Sequence, residues 1–380
     1  MKRSLAALVV AALLVGMSFG CSTPQNSSEN QNSAAPVSSS GGASENSTSG
    51  NSASSSASKF VVAKNVELPT AGIGMTIKSE VKAKKTYKIV CIVKNSTNPY
   101  MLSQLQGVKK ASQDEGFEAT LIAPSTQDSV EEQINIIENM IQKKVDGIII
   151  HCVDSNGIMP GIRKAKEANI PVVTIGTPAA DPTLLRTGVD YEETGYEVAK
   201  KIAEKLGGKG NIIVLEGPAG AQNAIERLNG IKRAVEKYPE LKIVASQTAN
   251  FKRTDGMSVT ENLLQKYKDV NAIIGCNDES ALGAVQALKA AGKTGVLVGG
   301  FDGSSDASQA IKNGDMYVSY NTDPYGSGYL GATYLVQYLN DGTQPPSNFV
   351  PFPSEANNPL ITSANIADYM NNFAWWKANS

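Results

Sequence analysis

"NAIIGCNDESALGAVQAL" (residues 271–288) changes character in its middle. The run up to Cys276 has the near-continuous apolar content of a strand covered on both faces, and the segment from Ala281 continues at helical spacing. Asn277 stands between them. Its side-chain oxygen can cap the open amides of a first helical turn, and the same amide can face a molecule bound beyond the strand end. A strand-cap-helix unit of this kind is the repeating element of a parallel α/β sheet, so the fold depends on whether the unit recurs along the chain.

It does recur. Strand-like runs occur at "YKIVCIV" (87–93), "EATLIA" (118–123), "GIIIHC" (147–152) and "PVVTIG" (171–176). A second series follows at "NIIVLEG" (211–217), "KIVASQ" (242–247), "NAIIGC" (271–276), "VLVGGF" (296–301) and "MYVSYN" (316–321). Between them, "VEEQINIIENMIQKK" places Ile134, Ile137 and Ile141 on one helical face, and "AIERLNGIKRAVEKY" does the same with Ile225, Leu228, Ile231 and Val235. Nine strands exceed what one compact sheet of this type usually holds, so the fold class is α/β with two doubly wound parallel-sheet lobes. The weakly patterned stretch "DPTLLRTGVDYEETG" (181–195) is the expected crossover.

The chain opens with Lys2 and Arg3 before "LAALVVAALLVGM", then "SFGC", which is the order of an export signal and is short for a membrane span. Cys21 directly after it matches a bacterial lipoprotein site, although Ser18 and Phe19 depart from the usual residues there. Lipidation at Cys21 leaves the remainder outside the membrane on a single anchor; ordinary cleavage and soluble export is the alternative. Residues 22–58 are dominated by Ser, Asn, Ala, Gly and Thr and cannot bury enough apolar area to offset ordering, so they read as a flexible tether. Residues 59–85 form a lead-in without a clear assignment.

Among 380 residues, 35 Lys and Arg balance 36 Asp and Glu, so no charge excess favours nucleic acid or an anionic membrane surface. Cys91, Cys152 and Cys276 each lie within or end an apolar run and read as buried thiols; their spacing suggests no metal site. No cofactor is indicated. The one histidine, His151, lacks a G-x-S-x-G elbow for a triad, and its neighbour Cys152 points to the opposite strand face. Glycine-rich phosphate loops are absent as well: "GPAG" (217–220) has no Lys-Ser/Thr after it. Enzyme chemistry is therefore poorly supported.

Ligands of doubly wound sheets lie at the strand ends, which here carry Asn98 and Tyr100, Arg227, Phe251, Asn277, Asp302 and Asn321. Caps, turns and salt bridges account for each of these singly. Together they offer planar amides, a carboxylate, a guanidinium and aromatic faces, which is the chemistry that holds a polyhydroxylated solute.

The strings "NPYMLSQLQGVKKA", "GIIIHCVDSNGI", "ANIPVVTI", "ERLNGIKRAVEKYP", "ASQTANFKRTDG", "NDESALGAVQALKAAGK" and "VGGFDGSSDASQAI" resemble, in order and spacing, the periplasmic sugar-binding family that includes ribose-binding protein. The likeness runs from about Tyr87 to Gly342. It implies a type I periplasmic binding protein: two Rossmann-like lobes joined by a three-stranded hinge, closing as a monomer on a sugar or polyol and delivering it to an ABC permease. The lobes would comprise 86–188 with about 322–350, and 189–321 with about 351–380. The resemblance implies ligand contacts at Asn98, Tyr100, Met101, Gly176, Thr177, Arg227, Phe251, Asn277, Asp302 and Asn321. Gly176 and Thr177 stand where ribose and galactose binders carry an Asp-Arg pair, Met101 replaces an aromatic, and Lys94 occupies a usually small polar position. D-ribose is accordingly not the expected ligand. A ligand-sensing accessory protein for a membrane kinase or chemoreceptor is the alternative; repressors sharing the two-lobe module need a DNA-binding head that this chain replaces with an export signal.

Overall fold

The computed structural model describes residues 79–344, 349–351 and 359–379. The export signal, Cys21, the 22–58 tether and the lead-in as far as residue 78 lie outside the described residues.

The first lobe alternates β1 (Lys88–Ile92), α1 (Pro99–Glu115), β2 (Glu118–Ile122), α2 (Val130–Gln142), β3 (Gly147–Ile150), α3 (Met159–Glu167), β4 (Val172–Ile175) and β5 (Leu185–Gly188). The second begins with α4 (Tyr191–Lys205) and runs through β6 (Lys209–Glu216), α5 (Gln222–Val235), β7 (Glu240–Thr248), α6 (Arg253–Lys266), β8 (Ala272–Gly275), α7 (Asp278–Ala290), β9 (Leu297–Asp302), α8 (Ser305–Asn313) and β10 (Val318–Asn321). α9 (Pro324–Asp341) then returns to pack on α1; β11 (Phe349–Pro351) joins the first sheet and β12 (Leu360–Ile361) the second. The strand orders are β11-β5-β4-β3-β1-β2 and β12-β10-β9-β8-β6-β7. Among the described residues every pairing is parallel except β10 with β12.

All nine expected strands form, and three more were hidden. β5 lies inside the stretch read as a crossover, because "LRTG" has little of the Val/Ile content that marks a central strand. The chain leaves the first lobe only after Gly188, between β5 and α4. Helix α5 also departs from expectation. Ile225 is exposed, and the buried stripe carries Asn223, Ala224, Arg227, Gly230 and Ile231. Two polar residues occupy that stripe because its upper end faces the cleft rather than the core.

Each sheet is covered on both faces by apolar clusters, which explains strands as uniformly buried as "GIII" and "AIIG". Reciprocal glycines bring helices together: a Cβ on Gly195 of α4 would sit 2.1 Å from the Arg227 carbonyl oxygen, and one on Gly230 of α5 would sit 1.9 Å from that of Glu192. This contact fixes α5, and with it Arg227. The end of the lead-in is ordered on the first lobe, where the Ser79 amide donates to Tyr329 Oη at 3.0 Å and that of Ala83 to the Glu115 carbonyl at 2.8 Å.

Candidate functional site

A cavity of about 500 Å³ lies between the lobes, at the carboxyl ends of β1, β3, β6, β8 and β9. Arg227 anchors the second-lobe wall. It is 2% exposed; Nη1 donates to the Cys276 carbonyl at 2.6 Å and Nη2 to Asp302 Oδ1 at 3.2 Å. The rings of Tyr191 and Phe301 lie 5.0 and 4.8 Å from its guanidinium carbon, within cation–π range. Burial pushes the Asp302 carboxyl up to about 6, and the Arg227 charge beside it opposes that rise.

Asp302 ends β9 with φ +115, a conformation that costs energy for a residue with a side chain and needs support from its surroundings. The support comes from the C-terminal segment. Trp375 Nε1 donates to the Asp302 carbonyl at 2.7 Å, and Tyr369 Oη to that of Gly303 at 2.6 Å. Trp375 also meets the Tyr100 ring edge-on, with centroids 6.4 Å apart, so the segment touches both lobes behind the cavity.

Asn277 performs both roles that its position allowed. Its Oδ1 caps α7 by accepting from the Ser280 amide (2.9 Å) and hydroxyl (2.7 Å). Its Nδ2 donates to the Phe251 carbonyl at 3.1 Å, and the residue lines the cavity. Phe251 and Asn250 both take positive φ, which turns the ring over Gly217; a Cβ on Gly217 would fall 2.4 Å from Phe251 Cζ.

On the first-lobe wall, Asn98 caps α1 by accepting from the Tyr100 amide at 2.9 Å, with Pro99 opening the helix. Tyr100 packs edge-on against His151, and Met101 lies beside it on the cavity wall. Lys94 is 5% exposed, has no carboxylate within 4 Å among the described residues, and lies 5.7 Å from the Phe251 ring. Burial lowers its ammonium to about 8. His151 is held well below its ordinary range by burial and the neighbouring cations Lys94 and Arg227, so its ring is neutral. Both its nitrogens are committed, Nδ1 to the Gln104 amide at 2.7 Å and Nε2 to the Thr177 hydroxyl at 3.2 Å, which leaves none for proton transfer to a bound solute.

Seven of the ten sequence-derived site residues line the cavity: Asn98, Tyr100, Met101, Arg227, Phe251, Asn277 and Asp302. Gly176, Thr177 and Asn321 are not on its surface. Gly176 has φ +67, and a Cβ there would lie 2.3 Å from the His151 ring. Thr177 sits one layer back and donates to Asn223 Oδ1 at 2.7 Å. Asn321 secures the β10 crossing, with its amide on the Pro359 carbonyl at 2.8 Å and its Oδ1 accepting from Asp323. Sequence reasoning missed Asn223, which does line the cavity. Its place four residues before Arg227, one turn up the same helix face, was the available signal.

The lobes also touch beside the cavity. Arg186 of β5 pairs with Glu226 of α5 through bonds of 3.1 and 2.6 Å, and the Ser155 amide donates to the Gly220 carbonyl at 2.9 Å. Among the described residues the three cysteines are free and buried, and no group of three or more His, Cys, Asp or Glu could hold a metal ion.

The sequence profile of the periplasmic binding protein domain matches residues 89–344, a span that contains the seven sequence-derived residues on the cavity wall. The chain belongs to the periplasmic binding protein family. A xylitol-binding protein of Mycolicibacterium smegmatis is 34% identical over 197 residues, covering 51% of this chain and 56% of the relative. A ribose import binding protein of Bacillus subtilis is 34% identical over 250 residues, 65% of this chain and 80% of that one. In the crystal structure of an ABC transporter periplasmic solute binding protein from Actinobacillus succinogenes with bound D-allose, all of that chain matches 75% of this one at 31% identity, with a TM-score of 0.69. The family model and the neighbour with bound D-allose are both of binding proteins.

Proposed function

We propose that the chain is the solute-binding component of an ABC importer and takes a small polyhydroxylated solute, of monosaccharide or polyol size, into the inter-lobe cavity. The observation that carries this reading is the convergence of Arg227, Asn277 and Asp302 from one lobe and Asn98 and Tyr100 from the other on one space of about 500 Å³. Arg227, Asp302 and the amides bond the hydroxyls, Phe251 and Tyr100 cover the C–H faces, and Met101 fills the apolar end. Gly176, Thr177 and Asn321 act from behind, by seating His151 and Asn223 and by holding the hinge. D-ribose is not the preferred ligand, because the acidic side chain that its binders carry cannot stand at Gly176 against the His151 ring. Closure follows population shift: contacts made to both lobes favour the closed form that the permease receives. Cys21 carries the lipid anchor on the outer face of the cell membrane, and the 22–58 segment gives a monomeric binding unit reach to the permease.

A thermal-shift screen of pentoses, hexoses and polyols, followed by calorimetry, tests the reading. At least one of these solutes should raise the melting temperature, and Asp302→Ala should weaken its binding by about 1–3 kcal/mol. Unchanged affinity in that variant would remove Asp302 from the site.

A further inference from the structure

The cavity wall has many hydrogen-bond donors to spare and few acceptors. Asn98 Oδ1 accepts from the Tyr100 amide and Asn277 Oδ1 from both Ser280 groups, while Asn223 Oδ1 faces the single Thr177 hydroxyl proton that His151 Nε2 also faces. The amide nitrogens of Asn98 and Asn223 donate to no described protein group, and Asn277 Nδ2 uses only the Phe251 carbonyl. Both nitrogens of His151 are committed. Acceptor capacity remains on the second oxygens of Asp302 and Asp128, on Gln127 Oε1 and on the Tyr100 hydroxyl; Asp128 Oδ1 accepts from Asn95 at 2.9 Å.

The charges show the same imbalance. Arg227 is paired with Asp302, and Arg253 with Glu279 and Asp306. Lys252 stands on the exposed rim. Among the described residues Lys94 is a buried wall cation with no carboxylate within 4 Å, Asp128 and Asp154 acting on it only from farther off. A buried ammonium without a contacting carboxylate is costly, and enclosing a neutral solute over it leaves that cost in place. One carboxylate would supply both the missing charge and about four acceptor sites. A single unpaired cation matches a monoanion better than a phosphate dianion.

We infer that the preferred solute is a polyhydroxy monocarboxylate, a sugar acid of aldonate or uronate type, and that Lys94 determines this preference by pairing with its carboxylate. This rests on the solute-binding reading above and narrows it. Asp128 and Asp154 lie near enough to favour the charged lysine, and Lys94 stays predominantly protonated at neutral pH.

Calorimetry on the full chain, freed of carried-over solute, should compare matched pairs: gluconate and glucuronate against glucose, galactonate and galacturonate against galactose, ribonate against ribose, and glycerate against glycerol. The expected result is at least one acid binding at least about tenfold more tightly than its neutral parent. Lys94→Met should collapse that ratio, whereas Lys94→Arg, which keeps the charge, should retain most of it. If no acid exceeds its parent tenfold in any pair while a neutral sugar or polyol binds, the carboxylate inference is overturned and the solute-binding reading stands. Binding of none of these compounds, acid or neutral, would overturn both. The wild-type ratio decides the matter even if Lys94→Met fails to fold.

Discussion

The two walls of the cleft bury a cation in opposite ways. On the second lobe, Arg227 is bonded to a backbone carbonyl and to Asp302 and flanked by two aromatic rings, so its charge is compensated within the lobe itself. On the first lobe, Lys94 is almost as deeply buried but touches no carboxylate among the described residues, and the ring beside it, Phe251, belongs to the other lobe. One wall carries its counter-charge; on the proposed reading the other receives it from the solute. That asymmetry suits a protein that has to recognise a solute and also to couple its arrival to closure, since a partner missing from the first lobe gives the solute a differential affinity for the closed form.

The largest way to break this comparison is Arg227→Ala. It leaves Asp302 buried without a counter-charge and opens space between Tyr191 and Phe301, and the expected loss in urea denaturation is about 3–5 kcal/mol. A loss below about 1 kcal/mol would mean that the second wall is not held by this pair. Trp375→Phe comes next. It removes the donor to the Asp302 carbonyl while keeping an aromatic body, and it should cost about 1–2 kcal/mol of stability and loosen solute binding. Stability lost without any change in affinity would make Trp375 a purely structural residue.

The smallest effect carries the opposite sign. Lys94→Met removes an uncompensated charge, so the solute-free protein should be unchanged or more stable by up to about 1 kcal/mol, the reverse of Arg227→Ala. pH sharpens the contrast. The Lys94 ammonium is lowered to about 8 from an ordinary 10.5, chiefly by burial, against the pull of Asp128 and Asp154. A base with a depressed folded value contributes stability that is fully present above its unfolded value and lost as pH falls through the folded one. The wild-type chain should therefore gain stability relative to Lys94→Met as pH rises from about 8 to 10.5. A difference that stays flat across that window in paired denaturation curves would mean the ammonium is not desolvated.

Most of the fold was legible because the strands are buried on both faces and announce it in unbroken Val and Ile. β5 was not, since "LRTG" has two polar side chains, and Arg186 points to an ion pair with Glu226 of the other lobe. The helix α5 was legible as a helix and misread as a face. Apolar periodicity placed Ile225 inside, whereas packing against α4 turned Asn223 and Arg227 inward. Within the site, residues that directly follow strand ends were found, because the topology of a doubly wound sheet points them at the cleft. Thr177 and Asn321 also follow strand ends, yet one lies behind His151 and the other at the hinge. Proximity to a strand end does not say which layer a side chain occupies.

The amino-acid order by itself determined the repeating strand-cap-helix unit, the two-lobe α/β class and the cap at Asn277, because each rests on neighbours within a few residues. Only the tertiary structure decided that Asn277 also holds the Phe251 loop, that the C-terminal Trp375 supports Asp302, and that Arg227 is paired while Lys94 is not. Those contacts join residues 26 to 75 positions apart, and whether a buried charge is compensated depends on every group packed around it. No local pattern in the sequence records that.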